Sequence, residues 1–141
     1  MRKLHALIVD DDPFMVRLIE TVIAKKFADR IQLESSSDPV AALQLLEARR
    51  YDLVFTDLEM PQVDGMQILA AARQRNAWTR IVVITGHSTL DRVTTALELG
   101  ASDYIMKPIN PGMLQDVVEQ HIAQQARWQQ AARETLQTAN A

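Results

Sequence analysis

Five polar side chains in this sequence each follow or end a short apolar run, and together they could handle a phosphoryl group. Asp10, Asp11 and Asp57 supply three carboxylates, Thr85 supplies a hydroxyl and Lys107 supplies an ammonium group. Carboxylates that lie close together repel one another unless a cation separates them. Mg²⁺ suits such a site because it binds carboxylate and phosphate oxygens. The set therefore predicts phosphoryl transfer, which depends on charge neutralisation and in which a carboxylate can be the nucleophile.

These side chains need elements that bring them to one place, and the chain alternates regularly between strand-like and helix-like patterns. The apolar runs that predict strands are Leu4–Val9, Ile31–Glu34, Leu53–Phe55, Ile81–Ile84 and Tyr104–Met106. Residues at helical spacing follow each run. Strict alternation predicts an α/β domain with a five-stranded, mostly parallel sheet and five helices on both of its faces. Because ligands bind beyond the carboxyl ends of such strands, the five side chains should meet at one edge.

Signals for helix starts and ends support this division of the chain. Asp12 precedes a proline and Asp64 precedes a glycine, so both carboxylates are expected to cap the amides of a following helix. Ser88 is expected to cap the fourth helix, and Gly100 is expected to end it. The apolar stripe of this fourth helix is expected to comprise Leu90, Val93 and Leu97.

Composition and charge exclude several classes of function. The 141 residues suit about one domain, and 15 basic against 18 acidic residues give a formal net charge of −3. This balance disfavours direct binding of nucleic acid, which normally needs a basic surface. The chain has no cysteine, so disulfides, cysteine nucleophiles and thiolate zinc sites are excluded. No apolar run approaches the roughly 20 residues of a membrane span, and the N-terminus lacks a secretory signal. We therefore expect a cytoplasmic protein without membrane contact.

Four motifs carry the polar residues, at the ends of the first, third, fourth and fifth expected strands. They are Leu7-Ile8-Val9-Asp10-Asp11-Asp12, Val54-Phe55-Thr56-Asp57 with Met60-Pro61 and Asp64-Gly65, Ile84-Thr85-Gly86, and Tyr104-Ile105-Met106-Lys107-Pro108. In this order they are similar to the motifs of the receiver domain of bacterial two-component response regulators. The resemblance extends from Lys3 to about Ala123. It implies a flavodoxin-like, doubly wound sheet with strand order 2-1-3-4-5.

The resemblance implies a role for each acidic residue of the site. Asp57 would be the phosphoacceptor, which takes a phosphoryl group from a histidine of a sensor kinase. Asp11 and Asp57 would bind Mg²⁺ directly, together with the backbone carbonyl of Glu59, and Asp10 would act through a water molecule. Glu59 and His87 flank the site at positions that vary within the family, so exchanging both residues should change the rate of autodephosphorylation.

The resemblance also implies a two-state switch rather than an enzyme with a separate substrate. Lys107 would pair with the phosphoryl group, Thr85 would move to bond it, and Tyr104 would swing inward. The face formed by helix 4, strand 5 and helix 5 would then signal to a downstream protein or to a C-terminal output domain. The phosphoryl donor would be a sensor histidine kinase or a phosphotransfer protein. The Lys107–Pro108 peptide bond is expected to be cis.

The C-terminal part of the chain differs in composition from the rest. Residues 1–123 are expected to form the receiver domain, and residues 124–141 a helical extension or the start of a linker to an output domain. Trp128 could pack back on the domain or form a dimer contact. The last helix has no Lys or Arg as far as Gln125, which disfavours the dimer that some receivers form through charged pairs on helices 4 and 5. Homodimerisation on phosphorylation through other contacts stays open.

Two other functions fit parts of the pattern. The haloacid dehalogenase-like phosphatases also place Asp-x-Asp after the first strand, which would make Asp10 the nucleophile and Asp12 the acid–base. Phe14 stands where that family has Thr or Val, and Asp57 would have no role. The other alternative is a pseudo-receiver, a binding module that is not phosphorylated. The full set of acceptor residues disfavours it.

Overall fold

The computed structural model describes residues 2–139, and a five-stranded parallel sheet lies at its centre. The strands are β1 (Leu4–Val9), β2 (Ile31–Ser36), β3 (Leu53–Thr56), β4 (Arg80–Thr85) and β5 (Asp103–Met106). Their order is β2-β1-β3-β4-β5, and all neighbours pair in parallel, which confirms the expected fold class and strand order. All but β1 are slightly longer than the apolar runs, because backbone pairing continues through polar strand ends.

Four helices connect the strands and a fifth follows β5, and the expected caps start two of these helices. The helices are α1 (Pro13–Phe27), α2 (Pro39–Ala48), α3 (Gly65–Arg75), α4 (Leu90–Glu98) and α5 (Pro111–Ala139). The Asp12 carboxylate accepts a hydrogen bond from the Phe14 amide at 2.9 Å and so caps α1. Asp64 caps α3 in a reciprocal pair with Gln67. Both carboxylates thereby satisfy amides that a helix start leaves free.

Both faces of the sheet are buried, because successive residues of each strand point to opposite sides. One face packs against α1 and α5 in a core that includes Ile8, Phe27 and Val118. The other face packs against α2, α3 and α4 in a core that includes Leu7 and Leu69. With both faces covered by helices, as is usual for parallel sheets, the carboxyl ends of the strands are left to carry polar groups.

Helix α4 is held to the sheet less firmly than its sequence predicts. Only Ala96 is buried within this helix, whereas Leu90 and Leu97 are 81% and 71% exposed. The expected apolar stripe is therefore wrong at these two leucines. The side of the helix that carries the small Ala96 side chain lies against the sheet, and the side that carries the leucines faces outward. The expected cap is also wrong. Thr89, not Ser88, caps the helix, since its side chain accepts from a backbone amide one turn later.

Helix α5 runs without a break from Pro111 to Ala139, so the segment after residue 123 is helical as far as the structure describes it. Gln125 lies in this segment and is buried, and its amide donates to Asp52 Oδ1 at 3.4 Å. Trp128 is exposed. Over residues 2–139, no helix combines the length and the apolar character that a membrane crossing needs.

Candidate functional site

The carboxyl ends of β1, β3 and β5 bring four charged side chains together. A carboxylate oxygen from each of Asp10, Asp11 and Asp57 lies within 4.8 Å of the others. Lys107 Nζ lies 2.7 Å from Asp57 Oδ2 and 2.9 Å from Asp10 Oδ2. The peptide bond from Lys107 to Pro108 is cis, as expected. The structure thus places these four sequence-predicted residues side by side.

The cluster is buried unevenly, which shifts the pKa of two of its members. Asp10 and Asp57 are 1% and 6% exposed, whereas Asp11 is exposed to solvent. Burial raises the pKa of the Asp10 carboxyl, although the Asp12 amide and Lys107 offset part of this shift. Burial alone would lower the pKa of the Lys107 ammonium, but its hydrogen bonds to Asp57 and Asp10 outweigh burial and raise that pKa. Lys107 therefore stays charged and neutralises part of the negative charge around it.

The loop between β3 and α3 shapes the surroundings of Asp57. The Glu59 amide donates to Asp57 Oδ1 at 3.1 Å, which orients the carboxylate. A Cβ atom at Gly65 would lie 2.0 Å from the Asp57 carbonyl oxygen and 2.6 Å from Leu58 Cα. The start of α3 therefore approaches this loop so closely that only glycine fits. In the sequence Gly65 is marked only as part of a motif and as the residue after a helix cap, because nothing local signals such a contact.

The two residues expected to switch lie on the neighbouring strands β4 and β5. Thr85 ends β4 and is buried, and its Oγ1 accepts a hydrogen bond from the His87 amide at 3.2 Å. Its carbonyl oxygen accepts from the Lys107 amide at 2.9 Å, which joins the ends of β4 and β5. Tyr104 is partly buried, and its hydroxyl donates to Ser88 Oγ at 3.0 Å. Both hydroxyls thus have partners that they could exchange for others.

Arg92 on α4 is a part of the site that the sequence analysis missed. Its Nη2 donates to the Leu58 carbonyl at 3.2 Å and lies 3.6 Å from Asp64 Oδ1. The contact ties the first turn of α4 to the loop that carries Glu59. No sequence signal marks it, because Arg92 and Leu58 are 34 positions apart and an arginine on an exposed helix usually belongs to a solvated face.

The carboxylate cluster fits a hard divalent cation. Its ligands are oxygen atoms, which Mg²⁺ prefers, and the exposed Asp11 opens the cluster to solvent. An open side suits Mg²⁺, because this ion keeps several water molecules when it binds to proteins. The group of Asp10, Asp11 and Asp57 contains no imidazole or thiolate, which are the usual ligands of zinc.

Comparison with protein families matches residues 6–119 to the response regulator receiver domain. The chain belongs to this family. It is therefore a signalling domain of the two-component type, as the four sequence motifs indicated. Phosphorylation and Mg²⁺ binding at an acidic pocket are general features of receiver domains, and in this chain Asp10, Asp11 and Asp57 form an acidic cluster.

Relatives of this receiver domain are longer regulators. Response regulator protein PilR of Pseudomonas aeruginosa is 31% identical over 118 residues, which cover 84% of this chain and 26% of PilR. The alginate biosynthesis transcriptional regulatory protein AlgB of Pseudomonas putida is 31% identical over 108 residues, 77% of this chain and 23% of AlgB. The DNA-binding transcriptional regulator NtrC of Salmonella typhimurium is 29% identical over 123 residues, 87% of this chain and 26% of NtrC. This receiver chain spans about a quarter of their length.

Solved receiver domains share the fold over most of the chain. The receiver domain of an HD domain-containing protein from Pseudomonas fluorescens has a TM-score of 0.80 and 27% identity, and covers 89% of this chain and 99% of its own. A receiver domain protein from Methanospirillum hungatei has a TM-score of 0.82 and 24% identity. The match covers 89% of this chain and 98% of that protein's chain. The second likeness concerns the fold alone.

Proposed function

We propose that Asp57 is the phosphoacceptor of this receiver domain. The observation that carries the proposal is the position of Lys107 Nζ, 2.7 Å from Asp57 and 2.9 Å from Asp10, beside the carboxylate of Asp11. One oxygen of Asp57 bonds to Lys107 and the other accepts from the Glu59 amide, so the carboxylate is held in one orientation. A nucleophile that is already oriented loses little entropy when it reacts.

The proposed reaction is an in-line displacement at phosphorus. A carboxylate oxygen of Asp57 bonds to the phosphorus of a phosphohistidine, and the bond from phosphorus to the imidazole nitrogen breaks. The imidazole keeps the electron pair of that bond and takes up a proton from solvent. Lys107 offsets the negative charge of the phosphoryl oxygens, which is most of what phosphoryl transfer needs from a protein. Hydrolysis of the resulting acyl phosphate returns Asp57 to its carboxylate form.

Asp11, Asp57 and the backbone carbonyl of Glu59 would hold Mg²⁺ in this site, with Asp10 acting through water. When bound, Mg²⁺ supplies positive charge that stabilises the phosphoryl oxygens. An indirect role suits Asp10, because it is buried and already accepts hydrogen bonds from the Asp12 amide at 3.0 Å and from Lys107. Asp11 is exposed, so its side chain can turn toward an ion without repacking the core.

The signal would leave the site through Thr85 and Tyr104. Thr85 would exchange its contact with the His87 amide for a phosphoryl oxygen, and the Tyr104 hydroxyl would leave Ser88 as its ring turns inward. The face formed by α4, β5 and α5 is the proposed output surface. Its exposed large apolar side chains suit contact with a partner protein and are Leu90, Leu97, Met106 and Met113. A homodimer formed on phosphorylation would use such apolar contacts rather than charged pairs between α4 and α5.

The proposed partners follow from this chemistry and from the relatives. A sensor histidine kinase or a phosphotransfer protein would supply the phosphoryl group. The receiver, residues 1–123, would signal to a downstream protein or, through the helical segment 124–141, to a C-terminal output domain such as the longer relatives contain. Contact with nucleic acid would belong to that output domain, and the receiver would act in the cytoplasm without membrane contact.

Intact-mass spectrometry after incubation with acetyl phosphate and Mg²⁺ tests the proposal. The wild-type chain should gain one labile phosphoryl group, and Asp57→Asn should gain none. A phosphoryl group that survives in Asp57→Asn but is lost in Asp10→Asn would instead favour the phosphatase chemistry. In the structure the Asp12 carboxylate caps α1, which leaves it poorly placed to act as an acid–base. The absence of any adduct would favour a module that works without phosphorylation.

A further inference from the structure

A cavity lies at the opposite end of the sheet from Asp57 and takes no part in the proposed phosphorylation. Its volume is about 470 Å³, and it is formed by the connections before β4 and β5 together with α5. Small-molecule sites usually have volumes of roughly 300–1,000 Å³. The side chains that give this cavity its chemistry are Arg73, Trp78, Arg80, Gln125 and Trp128.

Two arginines face this cavity without a carboxylate. The guanidinium of Arg73 donates to the backbone carbonyls of Ala77 and Gly100, which are neutral, and its buried Nε has no hydrogen-bond partner. Neither Arg73 nor Arg80 takes part in an ion pair with any residue between positions 2 and 139. Burial and the positive charge of Arg80 lower the pKa of Arg73. An anion between the two guanidinium groups would relieve this repulsion.

The positive charge continues around the C-terminal half of α5. A neighbouring cavity shares Trp78 and Gln125 with the first, and it adds three arginines against one carboxylate, Asp52. These three arginines are Arg2, Arg50 and Arg133. Arg2 pairs with Asp52, whereas Arg50 and Arg133 take part in no ion pair with any residue between positions 2 and 139.

Two indole rings and a buried amide complete the cavity. Trp78 and Trp128, the two tryptophans of the sequence, are 46% and 62% exposed. Exposed aromatic rings next to arginines are the usual means by which proteins stack the bases of nucleotides. Gln125 is 2% exposed, and its carbonyl oxygen Oε1 has no hydrogen-bond partner. Gln125 thus adds an unpaired acceptor to the wall of the cavity.

We propose that this cavity binds a mononucleotide, whose phosphate contacts Arg73 and Arg80 and whose base stacks on the Trp128 indole. The concave shape and limited volume favour a single nucleotide over a nucleic-acid strand. Because the lining residues come from the start of β4 and from α5, the bound nucleotide joins the C-terminal part of α5 to the sheet. The site is independent of Asp57 and of its phosphorylation.

Isothermal titration of the full chain with AMP and GMP, together with tryptophan fluorescence, tests this inference. We expect saturable binding with a Kd below about 1 mM, accompanied by quenching of the indole fluorescence. Arg80→Gln and Trp128→Leu, both at the cavity wall, should weaken binding by at least about tenfold, since each removes one of the two contacts to the ligand. Arg75→Gln, an exposed arginine on the same helix as Arg73, is the matched control and should bind as the wild type does. Asp57→Asn should also bind normally.

Several outcomes would overturn the inference. One is the absence of saturable binding by either nucleotide. Another is binding that Arg80→Gln and Trp128→Leu leave unchanged. Equal affinity for inorganic phosphate alone would reduce the cavity to a simple anion site, and equal affinity for adenosine or guanosine would remove the role of the arginines. Binding of a single-stranded oligonucleotide, but of neither mononucleotide, would assign the surface to nucleic acid.

Discussion

Gly65 is the residue at which the geometry of the proposed phosphorylation site tolerates least change. A Cβ atom there would lie 2.0 Å from the Asp57 carbonyl oxygen, so Gly65→Ala must push α3 away from the loop that carries the acceptor. We expect the free energy of unfolding to fall by about 1–3 kcal/mol, as for other overpacked sites, and phosphorylation by acetyl phosphate to slow. Urea unfolding and the rate of mass gain measure the two effects.

A second glycine provides the control for this substitution. A Cβ atom at Gly112 would meet only the Asn110 side chain, at 3.4 Å, in the first turn of α5. Gly112→Ala should therefore leave stability unchanged or raise it by about 0.5 kcal/mol, because alanine favours the helix. A Gly65→Ala chain that is as stable as Gly112→Ala would contradict the close packing of α3 on the loop.

Glu59 and His87 face each other at the mouth of the site, and we expect them to govern the lifetime of the phosphoryl group. His87 Nδ1 lies 3.8 Å from Glu59 Oε2, and both side chains are exposed. Both side chains are therefore placed to affect water that approaches the proposed acyl phosphate. The double exchange Glu59→His with His87→Glu should change the rate of autodephosphorylation, measured from the decay of phosphorylated protein. An unchanged rate would show that neither side chain affects the attacking water.

The hydroxyl of Tyr51 makes the free energy of unfolding depend on pH in the alkaline range. Its side chain is 3% exposed and its hydroxyl donates to Glu34 at 3.1 Å, while Arg49 pairs with the same carboxylate. Burial and then the Glu34 charge raise the pKa of Tyr51 from 10.0 to about 12. Above pH 10 the unfolded chain loses this proton while the folded chain keeps it, so the free energy of unfolding falls as the pH rises.

The substitution Tyr51→Phe isolates this contribution. Between about pH 9 and about pH 11, the wild-type chain should lose about 1 kcal/mol more stability than Tyr51→Phe, because lysines and other groups titrate equally in both. Urea unfolding at the two pH values measures the difference. Parallel losses in the two proteins would mean that the Tyr51 hydroxyl ionises as readily in the folded chain as in the unfolded one.

Among the elements, α4 is the helix with the weakest attachment to the sheet, and it belongs to the proposed output surface. It buries one side chain, Ala96, whereas α1 buries five, Phe27 among them. A helix with few buried apolar contacts opens locally at low free energy. We therefore expect the amides of α4 to exchange with deuterium faster than those of α1. The Arg92→Ala substitution should make the exchange of α4 faster still, because it removes the hydrogen bond to the Leu58 carbonyl.

An arginine on a different helix serves as the control for α4. Arg17 is exposed in the first half of α1, and Arg17→Ala should leave the exchange of α4 unchanged. Equal exchange of α4 in the wild type and in Arg92→Ala would mean that the bond to the loop contributes nothing to holding this helix. The protection of the α4 amides from exchange would then come from the contacts of Ala96 with the sheet.

The order and type of the elements could be predicted from the sequence, but the orientation of α4 could not. Strand runs and helical spacing are local patterns, and they gave the order of all ten elements and located the five strands to within about two residues. The spacing of Leu90 and Leu97 identifies one side of a helix, but it does not say whether that side meets the sheet. Here the sheet accepts the small Ala96, so the larger leucines face outward.

At the scale of the whole molecule, the sequence located the acidic cluster because parallel strands bring their carboxyl ends to one edge. Contacts that depend on how separate helices approach each other were not predictable. Arg92 reaches Leu58 only after α4 has packed, and Gly65 is confined only after α3 has packed. The net charge of −3 likewise concealed the arginines that gather around Gln125 at the other end of the sheet.

The division of the chain near residue 123 is open to a direct measurement. Gln125 is buried two positions beyond it and donates to Asp52, which also pairs with Arg2. A chain that ends at Ala123 should therefore be less stable than the full chain by about 1 kcal/mol, the usual contribution of a buried hydrogen bond. A chain that ends at Ala126 should match the full chain, because the later residues of α5 are mostly exposed.

Urea unfolding of the two shortened chains and of Gln125→Leu in the full chain separates the contribution of the Gln125 hydrogen bond from that of the later residues of α5. If Gln125 acts through its hydrogen bond, the substitution should cost about as much as removal of residues 124–141, since both leave Asp52 with one partner fewer. If both shortened chains unfold at the same urea concentration as the full chain, the receiver ends at residue 123 and the burial of Gln125 adds nothing. A loss in both shortened chains would instead assign residues after 126 to the folded domain, with Trp128 as the first side chain to substitute.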